Sequence, residues 1–294
     1  MKLTIISPLQ QQTHVSIKDR ALNYGDGFFS TMRCVHHTIE LLDRHILRLR
    51  SDAMRLGFQI DNWDELVEQL EATAHQGPAT SVIKVLISRG EGGRGYSSQT
   101  ALSPTAIITQ NVLPENSSNF KLSIAAGYLA EQPLLAGIKH LNRLEQILFK
   151  QQADELAVDD VLCLDIHQHI IETSSANIFW FKEGHWFTPK LTRCGVNGVY
   201  RQFLLDLFAE FNIVCGIGEY PLHDIVAADS VFICNAVRGL IPVSELQLPM
   251  RTNQQTTARV TSIIDDQVIR FNNIQLPVVH ALIEQQLQRV EPAL

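Results

Sequence analysis

No two of the five cysteines in this 294-residue chain stand close enough to form a CxxC pair. Cys34, Cys163, Cys194, Cys215 and Cys234 are scattered and odd in number, which argues against a disulfide framework or a zinc site and for reduced thiols in a cytoplasmic protein. Basic charge is also in short supply. The 24 Lys and Arg are outnumbered by 31 Asp and Glu, giving a net charge of -7, so the chain offers no cationic footprint for nucleic acid or an anionic membrane. No apolar run approaches a bilayer span, and the opening MKLTIISPLQQQTHV lacks the apolar stretch of a secretory leader. Lysine is scarce too: there are eight.

What is present is an ordinary soluble composition, 45% hydrophobic and 19% charged, on a chain long enough for two domains. KLTIIS opens the chain as a strand, and GDGFFSTMRCV and TIELLD read as two strands joined at the HH pair. RHILRLRSDAMRLGF places Ile46, Leu49, Ala53 and Leu56 on one helical face, and NWDELVEQLEATAHQG forms a second amphipathic helix. SVIKVLISRG and TAIITQNVL are two further strands. PENSSN, residues 114–119, is polar and turn-forming and is the best linker in the chain. Beyond it come the strand FKLSIAAG, a helix from about Asn142 to Leu156, two hairpins (DDVLCLD with IIET, ANIFWF with WFTP), and the helix NGVYRQFLLDLFAEF. The pattern predicts an α+β protein with a small N-terminal domain at 1–113 and a larger C-terminal domain at 120–294.

Several segments carry candidate chemistry. GEGGRG, residues 90–95, fits GxGxxG after a strand, but YSSQTALSPTA follows with no helical period, which counts against a dinucleotide fingerprint. A glycine-rich loop presenting Arg94 is the better account. That arginine either grips a ligand carboxylate bidentately or sits in water. Arg44, Arg48 and Arg55 share a helix face, as solvated stripes commonly do. In GVNGVYRQ the amides of Val199 and Tyr200 begin a helix and can face an anion, as any helix start can. Glu172 closes a strand ahead of the polar turn TSSAN. In AGIKHLNRLEQIL, residues 136–148, Asn142 and Glu145 have the spacing of a capping box, which places Lys139 just ahead of the helix among apolar neighbours. Such a lysine is either a surface cation or a desolvated, nucleophilic amine able to form a Schiff base.

Together, DRALNYGDGFFSTMR, HILRLRSDAMRLGF, SRGEGGRGYS, GIKHLNRLEQ, IIETSSANIFW, GVNGVYRQ and VFICNAV resemble, in order and spacing, the fold-type IV pyridoxal-phosphate enzymes. That family holds the branched-chain and D-amino acid transaminases and the aminodeoxychorismate lyases. The resemblance runs from about residue 4 to 245, and ISRGEGGRGYS and AGIKHLNRLEQ look more like the lyase branch. It implies a two-domain, D-amino acid aminotransferase-like fold, pyridoxal 5'-phosphate as cofactor, a homodimer, and the elimination of pyruvate from aminodeoxychorismate to give 4-aminobenzoate in folate biosynthesis. A D-amino acid or branched-chain transaminase is the alternative on the same scaffold, although Phe29 stands where a D-amino acid transaminase would carry tyrosine. Arg238 and Gly239 stand where the lyases would carry less polar residues. By the same resemblance, Lys139 matches the cofactor-bearing lysine and Glu172 the partner of the pyridine nitrogen. Arg48, Val199, Tyr200, Asn235 and Ala236 match positions around the phosphate. Arg94 and Tyr96 match the substrate-carboxylate loop, and Thr31 a site-lining position that could relay a proton.

Overall fold

The computed structural model describes residues 1–9, 14–99, 103–115, 119–248 and 268–290. Residues 116–118 of the expected linker lie outside the described residues. The chain divides into two compact units, one made of Met1–Glu115 with Ile138–Arg143, the other of Asn116–Gly137 with Leu144–Leu294.

The first unit contains β1 (Thr4–Ile6), α1 (Arg20–Tyr24), β2 (Gly27–Val35), β3 (Thr38–Ile39), α2 (Leu42–Arg55), α3 (Trp63–Gln76), β4 (Ser81–Ser88) and β5 (Thr105–Asn111). Its sheet runs β1-β5-β4-β2-β3, antiparallel except for the β1–β5 pair. The HH pair makes the β2–β3 turn with both residues at positive φ, 49° and 63°, the left-handed twist that a two-residue hairpin requires. Alternation along β2 buries Phe28, Ser30, Met32 and Cys34 and leaves Phe29, Thr31 and Arg33 half-buried. The buried set packs with Leu49 and Ala53 of α2, Leu66 and Leu70 of α3, and Ile83, Val85 and Ile87 of β4. At the far end of the α2 face Leu56 is only half-buried, while Asp52, a carboxylate, is buried.

The second unit holds β6 (Phe120–Tyr128), α4 (Leu144–Glu155), β7 (Asp160–Leu164), β8 (Ile170–Thr173), β9 (Asn177–Lys182), β10 (His185–Pro189) and α5 (Val199–Glu210). It continues with β11 (Cys215–Gly218), α6 (Leu222–Val226), β12 (Ser230–Asn235), β13 (Gly239–Gln247), β14 (Val268–Arg270) and α7 (Leu276–Val290). Its sheet runs β11-β10-β9-β12-β13-β6-β7-β8, with β14 added to β13. Both expected hairpins, β7–β8 and β9–β10, are antiparallel pairs. Phe179 of β9 stacks on Phe232 of β12 at 5.0 Å and meets Phe208 of α5 edge-on at 6.1 Å, which seats α5 on the sheet.

Two local expectations change. The helix begins at Leu144 rather than Asn142, and the expected capping-box residues have other partners. The Glu145 carboxylate accepts the Ala130 N–H at 2.9 Å, and the Asn142 side-chain amide donates to the Gly25 carbonyl at 3.2 Å. The lysine segment Ile138–Arg143, which falls in the second stretch of sequence, belongs to the first unit. It lies alongside the start of β2: Phe29 N–H donates to the Lys139 carbonyl (2.9 Å) and Leu141 N–H to the Gly27 carbonyl (3.0 Å). Glycine at position 27 is what permits this approach, because a Cβ there would collide with the Ile87 carbonyl and come within 2.7 Å of Leu141 Cδ1. Ile138, fully buried, anchors the segment in the core of the first unit.

All five cysteines are free, and four are buried. Burial pushes every one of the thiols up, Cys194 and Cys215 to about 12. Since the thiolate is the reactive form, a disulfide-exchange reagent at pH 8 should label less than about one thiol in the native protein, and five after denaturation. Rapid native labelling of two or more would contradict this burial.

Candidate active site

In the first unit the backbone around Lys139 is fixed on both sides of the side chain. Its carbonyl accepts from Phe29, and its N–H donates to Asp52 Oδ2 at 3.4 Å. The half-buried side chain carries its Nζ to 4.7 Å from the centroid of the Phe29 ring, a cation–π distance. Lys84 Nζ stands at the same 4.7 Å from that ring. Lys84 pairs with Thr31 in the β2–β4 register, so Phe29, Thr31 and Lys84 share one half-buried face. Lys84 was not singled out from sequence; the signal is its position opposite Thr31, which only strand register reveals.

Arg48 reaches the same end of β2 from α2, one turn from His45 and one from Asp52. Its Nη2 donates to Ser30 Oγ (2.5 Å) and to the Phe29 carbonyl (3.4 Å). Ser30 Oγ lies 2.6 Å from His45 Nδ1. Arg48 Nε is buried without a hydrogen-bond partner, an orphaned cationic donor of the kind a buried anion satisfies. The electrostatics are those of a desolvated cluster. Burial lowers Arg48 to about 10 against the pull of Asp52, and raises Asp52 to about 6 despite Arg48. Burial, reinforced by Arg48 and Lys139, holds His45 well below the usual imidazole range, so it stays neutral.

Arg94 and Tyr96 are both solvent-exposed, on the loop that follows β4. The described residues 91–99 contain no helix, in keeping with the reading against a dinucleotide fingerprint.

In the second unit Glu172, at the end of β8, is 4% exposed. Its Oε2 accepts the Val196 N–H at 2.9 Å and the Asn177 side-chain amide at 3.4 Å, so the carboxylate is held in one orientation. Asn177 reaches across the same turn, donating to the Val196 carbonyl (2.8 Å) and accepting the Gly198 N–H (3.2 Å). Gly198 then caps α5, whose first residues are Val199 and Tyr200, and no side chain caps that end. Asn235 Oδ1 accepts the N–H groups of Val237 (3.0 Å) and Arg238 (2.9 Å), so its side chain shapes the turn that carries Ala236. Gly137, two positions before Lys139 in the chain, is bonded to the same strip: its N–H donates to the Gly195 carbonyl (2.8 Å) and its carbonyl accepts from Asn197 (3.0 Å).

The fold agrees with that of related proteins. A sequence model of the amino-transferase class IV family matches residues 27–246. The chain belongs to that family. Among class IV relatives it is similar to the aminodeoxychorismate lyase of Vibrio harveyi, 35% identical over 244 residues that cover 81% of this chain and 89% of that protein. It is similar to the D-alanine aminotransferase of Bacillus licheniformis at 28% identity over 238 residues, covering 79% and 83%. The crystal structure of 4-amino-4-deoxychorismate lyase from Pseudomonas aeruginosa superposes with a TM-score of 0.81 at 30% identity, covering 96% of this chain and 97% of that one. The class IV fold is thus the α+β, fold-type IV architecture expected from the motifs.

The residues present fit a pyridoxal phosphate. Taken by itself, the first unit holds a fixed lysine and an orphaned buried guanidinium donor, groups suited to an aldehyde and a phosphate, and the second, also by itself, holds a buried carboxylate and an uncapped helix start.

Proposed function

We propose that the protein is a pyridoxal-phosphate-dependent 4-amino-4-deoxychorismate lyase, which eliminates pyruvate to give 4-aminobenzoate. The observation that carries this reading is Lys139, whose backbone is pinned at carbonyl and N–H while its amine reaches a half-buried aromatic face. The 35% identity to a lyase, against 28% to a D-alanine aminotransferase, supports elimination over amino transfer.

Bound pyridoxal phosphate supplies an electron sink that stabilises negative charge on the carbon bearing the substrate's amine. Lys139 would hold the cofactor, and its amine would remove the proton from that carbon. The C–O bond to the enolpyruvyl group then breaks, that group leaves and becomes pyruvate on protonation, and the six-membered ring becomes aromatic. No oxidant is consumed. Glu172 would supply the negative charge that keeps the pyridine nitrogen protonated. Arg48, the Val199 and Tyr200 amides and the Asn235–Ala236 turn would be the groups that bind the phosphate. Arg94 and Tyr96 bind a substrate carboxylate, for which Lys84 is a further half-buried cation on the face of Thr31. Thr31 lines the site or passes a proton to the leaving group.

The deciding experiment supplies aminodeoxychorismate and measures 4-aminobenzoate and pyruvate, in parallel with amino transfer from D- and branched-chain amino acids to 2-oxoglutarate. Equal amounts of the two elimination products are expected; brisk amino transfer without an aromatic product would overturn the lyase reading. Arg48→Ala should weaken pyridoxal-phosphate binding by roughly ten- to a hundredfold, the loss of one charge-assisted contact at about 1.5–3 kcal/mol. A cofactor titration of the apo-protein followed by absorbance reads this directly.

The reading includes a homodimer and a cytoplasmic setting. Leu144, Ile147 and Leu148, 53–68% exposed on adjacent turns of α4, form an apolar stripe that favours the first. Free thiols favour the second. No described helix is long and apolar enough to cross a membrane.

A further inference from the structure

Arg20 has no part in the residue set above, yet it is among the most deeply buried charges of the first unit, at 3% exposure. Its Nε donates to Asp26 Oδ2 at 2.7 Å, and Asp26 also receives Arg89 Nε at 2.9 Å. The remaining donors are spent on a single object. Nη1 donates to the carbonyls of Gly95 (3.1 Å) and Ser97 (3.2 Å), and Nη2 to the carbonyl of Tyr96 (3.0 Å). Three successive carbonyls of the loop carrying Arg94 and Tyr96 therefore converge on one guanidinium. The same stretch is tied down at other points: Tyr24 Oη accepts the Gly95 N–H (3.1 Å), the Tyr24 and Tyr96 rings meet edge-on at 5.7 Å, and Arg20 N–H donates to the Gly90 carbonyl (2.9 Å). Gly92 leaves the room, since a Cβ there would come within 2.7 Å of Arg20 Cδ.

A loop whose side chains are exposed but whose backbone is fixed this heavily has its presentation determined from below. We propose that Arg20 is a positioning residue for substrate: it fixes the 94–97 backbone so that Arg94 and Tyr96 meet the carboxylate of the incoming substrate without first paying the entropy of ordering the loop. This rests on the proposed role of Arg94 and Tyr96. A lysine in place of Arg20 has three donors but no planar fork, and cannot hold Asp26 and three carbonyls together.

The test compares the wild-type holoenzyme with Arg20→Lys and with the milder Tyr24→Phe, which removes only the acceptor for Gly95. Two readouts are taken: KM and kcat for aminodeoxychorismate, and the rate of tryptic cleavage at the Arg94–Gly95 bond, identified by fragment mass. That bond needs local opening of the loop to enter a protease. For Arg20→Lys, cleavage is expected to speed up and KM to rise about tenfold, with kcat within about threefold and the cofactor absorbance unchanged. Tyr24→Phe should move both readouts the same way by about two- to threefold. Unchanged cleavage and unchanged KM in both variants would overturn the clamp. Faster cleavage with an unmoved KM would overturn the link to substrate, and with it the role given to Arg94. If the wild-type protein turns over no aminodeoxychorismate, the lyase reading fails, while the cleavage rates still decide whether Arg20 holds the loop.

Discussion

Lys139→Ala is expected to lower aminodeoxychorismate turnover by about 10³-fold or more, with little change in melting temperature. The size follows from the double duty proposed for this amine, to carry the cofactor and to move the proton. The small effect on stability follows from where the fold invests its contacts. The segment is held by backbone bonds to Phe29 and Asp52 and by the buried side chain of Ile138, all of which alanine at 139 preserves. His140, next in the chain, is no easy substitute. Burial, with Arg143 adding to it, lowers His140 to about 4, so it is uncharged at neutral pH, and its Nε2 accepts from Arg143 Nη2 at 2.7 Å. Turnover within tenfold of wild type would mean that the proton is moved by another group.

Glu172→Gln is expected to cost about 10²–10³ in kcat while leaving the fold intact. Glutamine keeps the shape and one oxygen able to accept the Val196 N–H, but it has no negative charge to hold a proton on a facing ring nitrogen. Glu172→Ala separates the two roles of the residue. It removes the charge and also strands the Val196 N–H in a buried strip, at a cost of about 1–3 kcal/mol in stability. Kinetics and thermal melts on both variants read this. A glutamine variant with wild-type kcat would leave Glu172 as a structural strut for the 195–198 turn and nothing more.

Elements with strong periodicity were legible from sequence. The alternation of GDGFFSTMRCV gave β2, and the 3.6-residue apolar spacing gave α2 and α3, because each buries a single face. The chain beyond residue 211 gave little, apart from VFICNAV. Its central strands are placed by pairing with strands far away in sequence, β12 with β9 and β13 with β6. Lys139, Arg48 and Glu172 are singled out only by the joint resemblance, since each alone has an innocuous explanation. Three features stayed hidden for a common reason. The neutral His45 behind Arg48, the register that sets Lys84 opposite Thr31, and the grip of Arg20 on the loop all depend on partners brought together by tertiary structure. Asp52 departs from the general rule that helix charges are exposed, because it is buried with its carboxylate on the Lys139 N–H.

Two lysines stand 4.7 Å from the Phe29 ring, so composition and distance alone do not decide which bears the cofactor. Reduction of the yellow holoenzyme with borohydride, followed by peptide mapping, does. The account predicts a single pyridoxyl adduct, on Lys139. An adduct on Lys84, or none after saturation with pyridoxal phosphate, would contradict it.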